Sequence, residues 1–313
     1  MKQLLKKTTQ KFGFTIARTI SSYNNPFAEF GIERESFETR DDGYFFKELN
    51  IFLKEDQLNS ILLTGYSYAR NIVQIANGKF LFVEDELFLQ LGNLRFQLDE
   101  FEELYILNEI FVEGCYNINT QENDCVLIDI GMNVGFSSLY FSQREEFKKI
   151  YSYEPFEETY LLAKRNLNLN PAYQQKIQAN NFGLSKADGL LKVAYSNEAR
   201  GRMGVNGVPS DMVTATKEDR TLELKDAKHV LEPIFAANSD KCFVLKCDCE
   251  GAEYEIIERM NEAGLLKKIS YCMVEWHYKS PETLVMCLKA NGFTTITTTF
   301  EHHNAGIIYG FKR

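Results

Sequence analysis

Cys125–Phe141, CVLIDIGMNVGFSSLYF, decides the fold. Its first six residues form an apolar run broken only by Asp129, the length of a buried strand. Gly131 and Gly135 let the backbone turn sharply and approach a ligand closely. Phe136-Ser137-Ser138 then opens a helix, whose N-terminus offers unpaired N–H groups and the positive end of its dipole. The next strand, KIYSYE, ends in Glu154-Pro155. An acid there suits bidentate hydrogen bonding of ribose hydroxyls. A glycine turn alone often does no more than pack helix on strand. Turn, helix and acid together point to a nucleoside cofactor.

Two such cofactors compete. A dinucleotide wants G-x-G-x-x-G, which brings a pyrophosphate onto the helix N-terminus. Residues 129–135 read D-x-G-x-N-x-G instead, without the close glycine pair and with an acid at the start. That acid repels a pyrophosphate but suits the ammonium and sulfonium groups of S-adenosyl-L-methionine. The residues therefore favour S-adenosylmethionine over NAD.

Outward from this stretch, strands and helices alternate to the C-terminus. The helices are read at FSSLYFSQREEF, EETYLLAKRNLNLN, about Leu224–Ala237, AEYEIIERMNEAG and SPETLVMCLKANG. The strands are KIYSYE, KIQANNFGLS, LLKVAYS, CFVLKCD and ISYCMVEW, and FTTITTTFEHHNAGIIYGFKR reads as two strands and a turn. Such alternation implies an α/β fold, a mostly parallel sheet with helices on both faces, here closed by a terminal antiparallel hairpin. Residues 1–98 read as a separate, smaller α+β region and 99–313 as the cofactor domain. Within 1–98 a helix is expected around Phe46–Leu63. KFLFVED, ELFLQLG and NLRFQLD, divided by Asn77-Gly78 and Gly92-Asn93, predict an antiparallel meander. Asp99 reads as the N-cap of a helix ending near Gly114.

Composition narrows the class. The chain has 313 residues, 35 Lys+Arg against 44 Asp+Glu, and a net charge of −9. With 44% hydrophobic residues it is an ordinary globular chain, not a disordered one. Its acidity argues against a general nucleic-acid binder. No apolar run reaches the ~18 residues of a membrane span. The start, MKQLLKKTTQKFGFTIARTI, is basic but broken by Lys11 and Arg18, so a secretory signal is not expected. It reads as a capping helix with a solvated basic face; the alternative is a peripheral contact with a membrane or acidic partner. Seven scattered cysteines fit a reducing, cytoplasmic setting. Cys247-Asp248-Cys249 lacks a CxxC partner for zinc and reads as core thiols.

A second cluster lies at the later strand ends. Lys246-Cys247-Asp248-Cys249-Glu250-Gly251-Ala252-Glu253 ends one strand and opens a helix. Ligands in open α/β sheets bind beyond these carboxyl ends. Strand alternation puts Asp248 and Glu250 on one face, where paired carboxylates accept a hydroxyl proton, hold a sugar or bind a divalent cation. Glu253 falls in the first helical turn, where it complements the dipole. Glu275-Trp276-His277 ends the next strand. His277 is a general-base candidate, because histidine titrates near neutrality; a hydrogen-bonded strand-end histidine is the bland alternative. His302-His303-Asn304 lies in the terminal turn, as a second acceptor-side candidate or a polar turn. The glycine-bearing segment Arg200–Thr216 reads as a lid over the acceptor.

VLIDIGMNVGFSSLYF, YSYEP, NNFGLS, VLKCDCEGAEYEII and MVEWH, in this order, resemble the FkbM-type S-adenosylmethionine-dependent methyltransferases. The resemblance implies the class I methyltransferase fold, Rossmann-like, with a seven-stranded sheet whose last strand is reversed. It implies an O-methyltransferase acting on a hydroxyl of a sugar, glycan or other small natural product. By the same resemblance Asp129, Gly131, Asn133 and Gly135 surround the methionine part of the cofactor and Glu154 holds the ribose. Asn181 and Phe182 then lie where the adenine sits, and Asp248, Glu250, Glu275 and His277 face the acceptor. No metal ligand is assigned; the alternative is a cation held by Asp248, Glu250 and His277. A nucleic-acid methyltransferase and a non-catalytic binding module on the same fold stand as alternatives. Residues 1–98 are expected to cap the acceptor or build a homodimer contact.

Overall fold

A computed structural model describes residues 25–58, 60–196, 203–207, 217–300 and 304–312. The basic segment at the start, most of the lid segment, and His302 with His303 lie outside the described residues. Two compact units divide the chain, 1–114 and 115–313.

The first unit holds two small antiparallel sheets. One is β1 (Phe37–Arg40), β2 (Gly43–Phe46) and β3 (Ile51–Lys54). It replaces the helix expected over Phe46–Leu63. β3 shows a strand's alternation, with Ile51 and Leu53 buried and Phe52 between them half-buried, and the left-handed Asn50 turns the chain between β2 and β3. Helices α1 (Ser60–Thr64) and α2 (Tyr66–Gln74) follow. The expected meander is present as β4 (Lys79–Val83), β5 (Glu86–Leu91) and β6 (Leu94–Leu98). Helix α3 (Phe101–Asn108) closes the unit, continuing as a wider turn to the left-handed Gly114. Glu100 rather than Asp99 holds its N-cap position. The Asp99 N–H instead donates to Glu103 Oε2 at 2.7 Å. Gly65 and Leu104 pack α3 within the first unit.

The second unit is built on one sheet. Its elements in chain order are β7 (Cys125–Ile130), α4 (Phe136–Ser142), β8 (Phe147–Tyr153), α5 (Glu157–Asn168), α6 (Pro171–Gln174) and β9 (Ile177–Asn180). Then come β10 (Gly183–Ser185), β11 (Gly189–Tyr195), β12 (Glu218–Asp226), α7 (Ala227–Ala237), β13 (Cys242–Cys247) and α8 (Glu253–Glu262). β14 (Ile269–His277), α9 (Glu282–Ala290), β15 (Thr294–Thr297) and β16 (Ala305–Phe311) complete it. The strand order is β15-β16-β14-β13-β7-β8-β9, with β7 paired parallel to β8 and β13 and β16 antiparallel to β14. This is the class I methyltransferase fold, a seven-stranded sheet with its antiparallel strand in the terminal hairpin. β7 and β13 are the middle strands, and Leu127, Ile128, Val244 and Leu245 are fully buried there. Truncating one of them to alanine costs about 2–5 kcal/mol.

The start of α7 differs from its expectation, as does the end of α4, which stops at Ser142 with Phe147 already in β8. Leu224–Asp226 belongs to β12, and the helix starts only at Ala227. The Asp226 side chain sets that start by accepting the Lys228 N–H at 2.8 Å. β10, β12 and β11 form a separate small sheet.

Candidate active site

The parallel register of β13 with β7 sets Lys246 beside Asp129 and Cys247 beside Ile130. The two strands therefore deliver both motifs to the same sheet edge. Just beyond, Gly131 has φ +82°, and a Cβ there would run into the Asp248 carbonyl. Only glycine lets the Asp129–Gly135 turn touch the acid turn, Asp248–Gly251. Asn133 is left-handed as well, and its Oδ1 accepts the Val134 N–H at 2.7 Å.

Asp129 is fully buried. Its Oδ2 accepts the hydroxyls of Ser137 at 2.9 Å and Ser138 at 2.6 Å, both in the first turn of α4. Its Oδ1 has no hydrogen-bond partner. The nearest cation is Lys246 Nζ at 3.4 Å. Glu154 is buried too, with Oε2 accepting the Asn133 N–H and Oε1 the Phe156 N–H, both at 3.0 Å. Each oxygen keeps a second lone pair for a ribose hydroxyl. Burial pushes the Glu154 carboxyl up to about 7, against the two N–H bonds. Asn181 lies next to it and donates to the Glu154 carbonyl at 2.9 Å, so it pins the strand-end turn. The Phe182 ring packs on Tyr153 with centroids 5.4 Å apart and carries Lys225 Nζ over its face at 4.0 Å.

The acid turn holds the second cluster. Lys246 is buried and donates to the Gly131 carbonyl at 2.5 Å. Its ammonium lies 3.5 Å from Asp248 Oδ2, which also accepts the Tyr116 hydroxyl at 3.0 Å. Burial alone would lower the lysine; Asp248 and Asp129 outweigh that and hold it above the ordinary lysine range. Burial alone would raise Asp248; the Lys246 and His277 cations beside it hold it below the ordinary aspartate range. Glu250 and Tyr278 both sit at positive φ, and the Tyr278 hydroxyl donates to Glu250 Oε2 at 3.0 Å. Strained backbone of this kind collects at binding sites.

His277 is held on both ring nitrogens. Nδ1 lies 3.2 Å from Glu253 Oε1, and Nε2 lies 3.3 Å from Glu275 Oε1. Burial alone would lower its pKa; Glu253, Glu275, Glu250 and Asp248 push it up to about 12. The ring is thus an imidazolium at neutral pH and has no free lone pair to take a proton. Burial and the Asp248 charge push the neighbouring Glu275 carboxyl up to about 7. Burial raises Glu250 also.

Asp248, Glu275 and His277 present ligand-type atoms within 4.8 Å of one another, the spacing a divalent cation uses. Here Lys246 and the imidazolium supply positive charge to the same carboxylates. Beside the cluster opens a cavity of about 330 Å³, lined among others by Ser185, Val205, Asn206, Gly251, Tyr254 and His277. The strip 203–207 lies on the acid turn: a Cβ on Gly204 would strike the Glu250 backbone.

The structure thus brings together Asp129, Gly131, Asn133 and Glu154 around one turn, and Asp248, Glu250, Glu275 and His277 around the next. Gly135 caps α4 from behind, against Ala163. Sequence reading missed Tyr116 and the roles of Lys246 and of Glu253, whose Oε2 also accepts the Gly251 N–H at 2.8 Å. Extending the alternation of Asp248 and Glu250 back by two residues would have found Lys246.

Fold and glycine turn define a class I methyltransferase. A family model described as the Methyltransferase FkbM domain matches residues 129–295, and the chain belongs to that family. It is a methyltransferase that uses S-adenosylmethionine. The orphaned Asp129 oxygen, the glycine-only approach at Gly131 and the open lone pairs of Glu154 fit that group, whose ammonium and ribose need such acceptors. The chain is 28% identical over 190 residues to Methyltransferase sdnD of Sordaria araneosa, covering 53% of this chain and 72% of that protein. It is 22% identical over 218 residues to Methyltransferase 1 of Beauveria bassiana, covering 63% and 78%. The crystal structure of the FkbM methyltransferase from Methylobacillus flagellatus aligns with a TM-score of 0.44 at 13% identity, over 67% of this chain and 50% of that one. No described helix is long and apolar enough to cross a membrane.

Proposed function

We propose that the chain moves the S-adenosylmethionine methyl group onto a hydroxyl of a sugar, glycan or other small natural product. The observation that carries this is the acid corner at the ends of β13 and β14. Asp248, Glu250 and Glu275 surround His277 there, beside the cavity. A hydroxyl is a weak nucleophile and needs a group to take its proton. Glu275, poised near neutrality, takes it, while the imidazolium orients the carboxylates. Asp129, Gly131, Asn133 and Gly135 shape the donor site, Glu154 takes the ribose, and Asn181 with Phe182 borders the adenine. The sulfonium itself supplies the activated methyl, so alignment and exclusion of water supply the rest. The same acids repel a phosphodiester, which weighs against a nucleic-acid acceptor.

Residues 1–98 serve as acceptor cap or homodimer contact in this reading, because the donor constellation lies wholly after Cys125. Free thiols at all seven cysteines suit a cytoplasmic setting. The test is transfer of a labelled methyl group from S-adenosylmethionine to a panel of glycans, polyols, RNA and DNA, with products mapped by mass spectrometry. An O-methyl product on a hydroxylated small molecule is expected. Label found only in nucleic acid would replace this reading. No turnover, with no calorimetric heat for S-adenosylmethionine, would make the chain a binding module on this fold.

A further inference from the structure

We infer that Lys246 is a positioning residue that tempers the carboxylate field around the methyl donor, so that the sulfonium is held without being over-stabilised. The inference rests on the donor lying on the Asp129–Gly135 turn. Lys246 touches both sides of that turn: its ammonium bonds the Gly131 carbonyl at 2.5 Å and stands 3.4 Å from Asp129 Oδ1 and 3.5 Å from Asp248 Oδ2. It is 2% exposed and Asp129 is fully buried, so water screens that pair little, while the Asp248 side chain is 27% exposed. Within this trio two carboxylates and one ammonium leave a single negative charge.

Methyl transfer from S-adenosylmethionine breaks the S–CH₃ bond and leaves the electron pair on sulfur, as the acceptor oxygen forms the new C–O bond and gives up its proton. The positive charge on sulfur disappears along the way. Carboxylates near sulfur therefore stabilise the ground state more than the transition state, and uniform or ground-state binding slows chemistry. An ammonium between the two carboxylates offsets that field. The same ammonium keeps the affinities for the charged donor and the neutral product, S-adenosylhomocysteine, close together.

Whatever the two ligands share cancels in the ratio of their dissociation constants, which leaves the effect of the sulfonium charge. The probes are S-adenosylmethionine and S-adenosylhomocysteine, measured by calorimetry on the full chain. In Lys246→Met the ratio should move toward the sulfonium by about tenfold or more. Lys246→Arg should keep the wild-type ratio. Asp129→Asn removes a negative charge instead and should move the ratio toward S-adenosylhomocysteine; Lys246→Gln, which keeps a donor toward the Gly131 carbonyl, decides the question if Lys246→Met does not fold. A merely structural lysine would weaken both ligands together and leave the ratio alone. An unchanged ratio in a folded neutral Lys246 variant overturns the inference while sparing the donor assignment. Wild-type protein that binds neither ligand overturns both.

Discussion

Glu253 Oε1 accepts the His277 backbone N–H at 2.8 Å and also stands 3.2 Å from the His277 Nδ1. One side-chain oxygen thus fixes both the end of β14 and the ring that projects from it. Glu253 begins α8, so the helix that follows the acid turn orients the histidine of the neighbouring strand. With Glu275 on the other nitrogen, the ring acts as a fixed cation at the centre of an acid corner.

That arrangement predicts a pH dependence of stability. The folded pKa of His277 is raised to about 12 from an ordinary 6.5. A raised pKa gives stability that is fully present below pH 6.5 and is lost progressively as pH climbs toward the folded value. Melting temperature should therefore fall between pH 7 and 10 more steeply in wild type than in His277→Gln. The variant should cost about 3–5 kcal/mol at pH 7, where the pair is broken but the acids stay buried. Parallel melting curves for the two proteins would count against an imidazolium.

Donor affinity should titrate with Glu154. Its carboxyl is pushed up to about 7, so below that pH it carries a proton and offers fewer acceptor sites to the ribose. S-adenosylmethionine affinity in wild type should rise with pH through about 7 and level off above it. Glu154→Gln should bind more weakly by about 1.5–3 kcal/mol and lose that component of the pH dependence. Calorimetry from pH 5.5 to 8.5 on both proteins checks it; identical profiles would remove Glu154 from the ribose site.

The Asp226–Arg259 pair predicts an acid-side effect. Arg259 Nε and Nη2 donate to the two Asp226 oxygens at 2.9 and 2.6 Å, which joins the start of α7 to α8. Arg259 holds Asp226 down at about 2 from 3.8. A lowered carboxyl pKa gives stability that is present above pH 3.8 and is lost as pH falls toward 2. Arg259→Met should destabilise the chain at pH 7 and by much less near pH 2. Urea unfolding at the two pH values measures the difference.

Much of this was legible in the sequence, and for identifiable reasons. The Asp129 turn and Glu154 could be read because strand, turn and acid each have a local cause. β7 and β13 could be read because a buried parallel strand is a continuous apolar run. Phe46–Leu63 could not, since short strands and a helix are alike rich in apolar residues and only the positive φ at Asn50 breaks the run. The state of His277 was invisible for another reason. Its proton is held by Glu253, Glu275, Glu250 and Asp248, and their grouping depends on the pairing of strands far apart in sequence. Lys246 acts through Asp129, which only the β7–β13 register brings near.

The glycines of the site should separate by what a methyl group would meet. At Gly131, φ is +82° and a Cβ would overlap the Asp248 carbonyl, which β13 fixes in place. Neither side can yield, so Gly131→Ala should cost about 3 kcal/mol or more and abolish S-adenosylmethionine binding. Gly135 also has a left-handed φ, +89°, but its Cβ would meet Ala163 at an ordinary 3.5 Å. Gly135→Ala should therefore show the conformational cost alone, about 1–2 kcal/mol, with cofactor affinity kept within a few-fold. Gly204 is the opposite case: no left-handed φ, but a Cβ that would strike the Glu250 backbone. The strip 203–207 is anchored, with Met203 buried among Phe156, Val193, Tyr195 and Leu222 and Val205 packed on the main core. Gly204→Ala should therefore cost about 1–3 kcal/mol of overpacking and leave donor affinity intact. Urea unfolding and S-adenosylmethionine calorimetry on the three variants test the order. A Gly131→Ala protein that binds the cofactor normally would mean that the close approach of the two turns has no part in the site.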